Sequence, residues 1–166
     1  FKKTFSRACR IQFLGLWDTV STYGWIYDPI FLPHTSRNES VESVRHALAV
    51  DERRTLFRHL SWGRHDPAPT NVKEVWFPGC HGDIGGGHPE PESQLGKLSL
   101  KWMIDEAIET GNIQFDPSAI RRYVLGEGTE KYVKPDHMGS LHDSMLWVWR
   151  LTEYLPFRVC DSQSRR

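Results

Sequence analysis

VKEVWFPGCHGDIGGG, Val72 to Gly87, runs from an apolar stretch into a Pro-Gly stop, and then into His81, Asp83 and three consecutive glycines. Val72 to Phe77 reads as a strand, rich in β-branched and aromatic residues, and Pro78-Gly79 ends it. A second run, RIQFLGL from Arg10 to Leu16, is apolar almost throughout, as strands are when both faces of a parallel sheet are covered. It stops at Trp17-Asp18-Thr19. Strands alternating with helical patterns point to an α/β architecture, a mostly parallel sheet flanked by helices.

Between these strands, Tyr23 to Pro33 reads as an aromatic, irregular loop. Ser40 is placed to cap a helix opening at Val41, with Val41, Val44 and Leu48 on one face. The helical pattern continues through Asp51 to Arg54 toward Leu60, with a break near Val50. Arg64 to Asn71 is a loop by its Pro, Asp and Asn content. Beyond the glycines, Leu98 to Thr110 has the spacing of an amphipathic helix, with Gly111 as its C′ residue. Asp116-Pro117 opens another helix that Gly126 ends. Met145 to Leu155 reads as a Trp-rich last helix stopped by Pro156. Two strands make no stable sheet, so the reading expects the remaining strands upstream. It takes residues 1–160 as the C-terminal part of one domain, with 161–166 a frayed tail.

Composition narrows the partners. The 166 residues carry 21 basic and 21 acidic side chains. A neutral chain argues against nucleic acid as main partner, because phosphate contacts need a basic surface. It argues equally against a polybasic membrane anchor. No apolar run has the length of a transmembrane helix, and the charged start lacks a signal-peptide pattern. Localisation is left open between the cytoplasm and export by a signal-independent route, and oligomeric state is open as well. Cys9, Cys80 and Cys160 are too scattered for a disulfide framework or a CxxC zinc site. Seven tryptophans fit a large aromatic core or an apolar cleft.

Asp18 follows the first strand directly, and His81 and Asp83 follow the second. Functional groups of open α/β sheets gather beyond the carboxyl ends of the strands. An Asp that fixes the tautomer of a His, with the His as general base, is two-thirds of a hydrolase triad. The nucleophile of such a triad sits on a G-x-S-x-G elbow. No serine in the chain has glycines at both flanking positions, and Ser6, in TFSRA, is the nearest lookalike. Each candidate has a plainer alternative. Asp18 could shape a turn, His81 could be a hydrogen-bonding turn residue, and Asp83 could accept backbone N–H groups in its own glycine turn. Gly85, Gly86 and Gly87 permit positive φ and could offer N–H groups to an oxyanion. His81, Asp83 and His88, with Glu90 and Glu92, form a rival metal-ligand set without a recognised spacing. A later polar cluster, Ser140 to Ser144, contains His142 and a possible helix cap in Asp143 or Ser144.

FLGLWDTV, VRHALAVDERR, EVWFPGCHGDIGGG, LKWMIDEA and SLHDS, in this order, resemble the α/β-hydrolase domain of type VI secretion phospholipase effectors. The resemblance implies the C-terminal part of an α/β-hydrolase that cleaves acyl esters, including phospholipids, with its serine on an upstream G-F-S-R-G elbow. It implies Asp18 as triad acid and His81 as base, with Asp83 and His142 in reserve. Cys80 and His88 depart from the family pattern, which has a small or apolar residue before the His and an aromatic after the glycines. Trp17, Trp25 and Tyr27 are candidate acyl-pocket residues. No cofactor and no metal are assigned. The alternatives are a catalytically inactive interaction domain derived from a hydrolase, or a metal-dependent hydrolase.

Overall fold

The computed structural model describes residues 7, 9–20, 23–25, 28–30, 38–57, 59, 61–62, 71–152 and 154. Ser6, Tyr27 and Cys160 lie outside the described residues, as do the 64–70 stretch and most of the Gly24–Thr35 excursion.

Five strands are present among these residues: β1 (Ile11–Trp17), β2 (Tyr23–Trp25), β3 (Asp28–Ile30), β4 (Val41–Ala49) and β5 (Asn71–Phe77). β2 and β3 form a small antiparallel pair, whereas β1, β4 and β5 form a parallel sheet in the order β1-β4-β5. The helices are α1 (His81–Gly85), α2 (Gln94–Glu109), α3 (Pro117–Ala119), which runs on into a wider turn over Ile120–Val124, and α4 (Trp147–Thr152). The chain therefore has a three-stranded parallel sheet flanked by helices, a partial α/β fold.

β4 overturns the helix expected from Val41. It is the central strand, paired with β1 on one side and β5 on the other, and every residue in it except Glu42 is buried. A helix would bury one stripe, but this segment buries both faces. The misreading has a physical cause. Arg45 and His46 interrupt the apolar run and mimic the polar face of a helix, yet both are buried because both are partnered. Arg45 donates to Asn71 Oδ1 at 3.0 Å, to Thr110 Oγ1 at 2.7 Å and to the Glu106 carboxylate. Lys73 also contacts Glu106, so one carboxylate on α2 ties down two sheet cations. The Nε2 of His46 accepts from the N–H of Thr19 at 3.0 Å, while its Nδ1 faces Glu74 at 3.2 Å. Nor does the helical pattern continue toward Leu60: residues 51–54 are irregular, and Thr55–Phe57 is a single 3₁₀ turn.

Two apolar clusters cover the sheet. Ala47, Ala49, Ile84 and Met103 form one, joined by Phe13, Trp17, Phe77 and Trp102; Val41, Val44 and Trp62 form the other, joined by Leu14, Leu16 and Val72. The alternation of Phe13 and Trp17 with Leu14 and Leu16 between the clusters follows from the two-residue period of a strand. α2 begins at Gln94, four residues before the expected Leu98. Thr110 is its C-cap and Gly111 comes next, as expected, but the left-handed residue is Asn112, at φ 50°. Asp116 caps α3 through the N–H of Ser118 at 2.8 Å. Asp143 accepts from the N–H of Met145 at 2.8 Å, before α4 begins.

Candidate active site

The carboxyl ends of β1, β4 and β5 converge on one place, and the first residue beyond β1 is Asp18. Its backbone sits at φ 38°, a left-handed conformation that costs a non-glycine residue about 1 kcal/mol or more and persists only where the surroundings enforce it. They do so here: the Asp18 N–H donates to Ala47 O at 2.7 Å, and its Oδ1 accepts from the N–H of Ala49 at 3.0 Å. The side chain is thus fixed across the end of the central strand, with 2% of the residue exposed.

Past β5 the chain turns at Gly79, whose φ is 125° and where an added Cβ would lie 2.6 Å from Asp83 Cβ. Cys80 is the N-cap of α1 and His81 its first residue. The His81 Nδ1 lies 2.8 Å from Asp18 Oδ2. A carboxylate on Nδ1 selects the tautomer with the proton there and the lone pair on Nε2. Nε2 has no hydrogen-bond partner among the described residues, and the side chain is 35% exposed. An imidazole oriented by a buried carboxylate, with its other nitrogen accessible, can accept a proton from a nucleophile and return it to a leaving group.

Glu52, which the sequence reading absorbed into a helix, braces this pair. Its carboxylate accepts from the His81 N–H at 3.2 Å, from Arg54 Nε and Nη2 at 2.8 Å each, and from Ser144 Oγ at 3.2 Å. Burial alone would raise its pKa, but the bonds from Arg54 and His81 prevail and hold the carboxyl at about 2. The ring of Phe57 stands edge-on to His81 at 5.2 Å and to Trp149 at 5.6 Å, under the Arg54 guanidinium at 3.4 Å. A cavity of about 360 Å³ opens beside Asp18, lined by Glu52, Arg53, Phe57, His59 and Trp76 among others. Exposed Arg53 has no ion-pair partner among the described residues. The visible signal for this wall was DERR directly after an apolar run.

Asp83 and His142 meet each other and neither meets the Asp18–His81 pair. His142 Nδ1 is 2.6 Å from Asp83 Oδ1, and its Nε2 is 3.1 Å from Glu92 Oε2. The bond to Asp83, helped by Glu92, holds the imidazole above its ordinary pKa against partial burial. Burial pushes Asp83 upward, yet the N–H of Cys80 and the His142 ring outweigh it and the carboxyl stays below its usual range. Both nitrogens of His142 are engaged. Of the rival ligand set, His81 is held by Asp18, and Glu90 by Lys97 and the Val133 N–H. Cys80, Asp83 and His88 instead bring one donor atom each within 4.8 Å of one another, as do His88, Glu92 and His142.

Gly86 is the left-handed C-cap of α1 at φ 75°, and its N–H and that of Gly87 both donate to Gly82 O. Gly85 ends α1 itself. The three glycines thus form a helix end, and the N–H groups of Gly86 and Gly87 are engaged there. Trp17 packs against the Ala47–Met103 cluster. Trp25 lies on β2, and Tyr27 is outside the described residues.

A parallel sheet with Asp18 beyond one strand and His81 beyond another is a partial α/β fold with its polar pair at the strand ends. The sequence agrees: residues 1–106 match the family described as the type VI secretion system (T6SS) phospholipase effector Tle1-like catalytic domain, and the chain belongs to that family. A stretch of 62 residues is 48% identical to a protein of Saccharomyces cerevisiae (strain ATCC 204508 / S288c) named "Uncharacterized protein YEL023C". That stretch covers 36% of this chain and 9% of the yeast protein. No solved structure matches the chain. No helix among the described residues is long and apolar enough to cross a membrane.

Proposed function

We propose that the chain supplies the acid and base of a Ser-His-Asp esterase acting on acyl esters of phospholipids, with its serine upstream of β1. Residues 1–160 then form the C-terminal part of one catalytic domain. The observation that carries this reading is the Asp18–His81 contact at 2.8 Å, with Nε2 accessible at the strand ends.

In this mechanism the serine Oγ attacks the ester carbonyl while His81 Nε2 takes its proton. The resulting imidazolium is stabilised by Asp18 through Nδ1, and returns the proton to the leaving alcohol. Water then attacks the acyl-enzyme by the same route, regenerating the serine. Arg53, on the cavity wall, offers a cation to the substrate phosphate, and Trp76 and Phe57 offer apolar surface to its acyl part.

The test is a fluorophosphonate, which labels activated serines, applied to the full-length protein, with intact mass as readout and release of fatty acid from phospholipid vesicles measured in parallel. One label per chain and fatty-acid release, both abolished by His81→Ala, are expected. Absence of both in the folded wild type would sink the reading and leave a hydrolase-derived interaction domain.

A further inference from the structure

We infer that Cys80, Asp83 and His88 form a zinc site that staples the base of α1 to the loop following it. Cys80 and Asp83 are N-cap and third residue of α1, and His88 lies just past the glycine turn. One donor atom from each lies within 4.8 Å of the others. Ligands of a tetrahedral zinc lie roughly 3.3–3.7 Å apart, as bond lengths of about 2.0–2.3 Å require, so side-chain rotation of about 1 Å closes the set.

The His88 ring nitrogen is not joined to this cluster by a hydrogen bond. His88 Nε2 is 3.3 Å from Asp83 Oδ1, but the two are not aligned as a hydrogen bond, and Nε2 is buried without a hydrogen-bond partner. A buried ring nitrogen beside a carboxylate and a sulfur is costly unless a proton or a cation joins them. The donors converge over Gly82, where an added Cβ would lie 3.2 Å from His88 Nε2 and 4.0 Å from Cys80 Sγ. A thiolate, an imidazole and a carboxylate suit zinc and not magnesium, calcium or manganese, which prefer oxygen alone. On binding, the Cys80 thiol gives its proton to solvent as the zinc–sulfur bond forms, and solvent takes the fourth position.

His142 acts at one remove. It bonds the same Asp83 oxygen at 2.6 Å and stacks on the His88 ring at 3.6 Å, so it orients two ligands and is a positioning residue. The site shares no residue with the Asp18–His81 pair and does not depend on a serine hydrolase function.

The experiment uses the full-length protein dialysed against Zn2+ and, separately, loaded with Co2+. Expected are one bound zinc per chain, a thiolate-to-cobalt charge-transfer band in the near ultraviolet, and a zinc-dependent rise in Tm. Cys80→Ser should remove the band and His88→Gln should remove the Tm rise, while Cys9→Ser keeps both. His142→Ala should weaken zinc by about 10–100-fold and keep the cobalt band. Far-ultraviolet circular dichroism checks each fold. If Cys80→Ser fails to fold, His88→Gln decides, its side chain being partly exposed. No retained zinc in the wild type, an undiminished band in folded Cys80→Ser, or an undiminished Tm rise in folded His88→Gln each overturns the proposal.

Discussion

Asp18 Oδ2 and His81 Nδ1 lie 2.8 Å apart although 63 positions separate the two residues in the chain. The central strand makes the contact possible, because Ala47 and Ala49 hold the backbone and carboxylate of Asp18 while β4 pairs with the strand that leads to His81. Removing either residue therefore tests different things. Asp18→Asn keeps an acceptor for the Ala49 N–H but loses the charge that favours the imidazolium. Its expected cost in the full-length protein is about 10³–10⁴-fold in kcat, with little change in Tm. Asp18→Ala should show the same kinetic loss plus about 1–3 kcal/mol of stability, from the orphaned N–H. Esterase kinetics beside urea unfolding separate the two effects.

Glu52 links acid stability to the same region. Its carboxyl is lowered from about 4.5 to about 2 in the folded chain, so the folded state binds the proton less readily than the unfolded one. The stability it contributes is fully present above pH 4.5 and is lost as pH falls through 2. The shift corresponds to something on the order of 3 kcal/mol. Urea unfolding of wild type and Glu52→Gln at a series of pH values should show a gap near neutrality that narrows steadily below pH 4.5. A gap constant with pH would mean that the ionised carboxylate contributes nothing.

Glu106 is buried against Arg45, whose side chain is 5% exposed. Glu106→Ala leaves that guanidinium without its counter-charge and should cost about 3–5 kcal/mol. Glu106→Ala combined with Arg45→Met should recover much of the loss, because no buried charge then remains. A double variant no more stable than Glu106→Ala in chemical denaturation would show that the ion pair is not the source of the cost.

Arg53 tests the substrate class. Arg53→Ala in the full-length protein should raise KM for an anionic phospholipid by roughly tenfold and leave an uncharged short-chain ester unaffected. Equal effects on both substrates would place the residue outside phosphate recognition.

β1, β5 and α2 were legible from local patterns: runs rich in β-branched, aromatic and other apolar residues closed by Trp17-Asp18 and Pro78-Gly79, and a 3.6-residue period from Leu98 onward. β4 was not, since a strand buried on both faces and carrying Arg45 and His46 has no period that separates it from a helix. The third strand of the sheet was lost with it. Asp18 and His81 could be named from strand ends and motif, but their contact is a property of the sheet. Glu52 disappeared into the helix wrongly extended from Val41. The partners of Arg45 and His46 lie 61 and 28 positions away, and nothing local in the chain announces them. The Cys80–Asp83–His88 cluster follows no established ligand spacing, and it emerged only once α1 brought the three donors to one side.

The sheet order β1-β4-β5 has a practical consequence for handling the protein. β1 pairs with β4 along one side only, so among the described residues its other side presents unpaired backbone on a strand, IQFLGLW, that carries no charge. Such an edge is a template for another strand. When this segment is produced alone, it should associate edge to edge and precipitate with increasing concentration. A lysine at Phe13 would disturb the core, whereas Gln12→Lys charges the edge next to it and should raise the solubility limit.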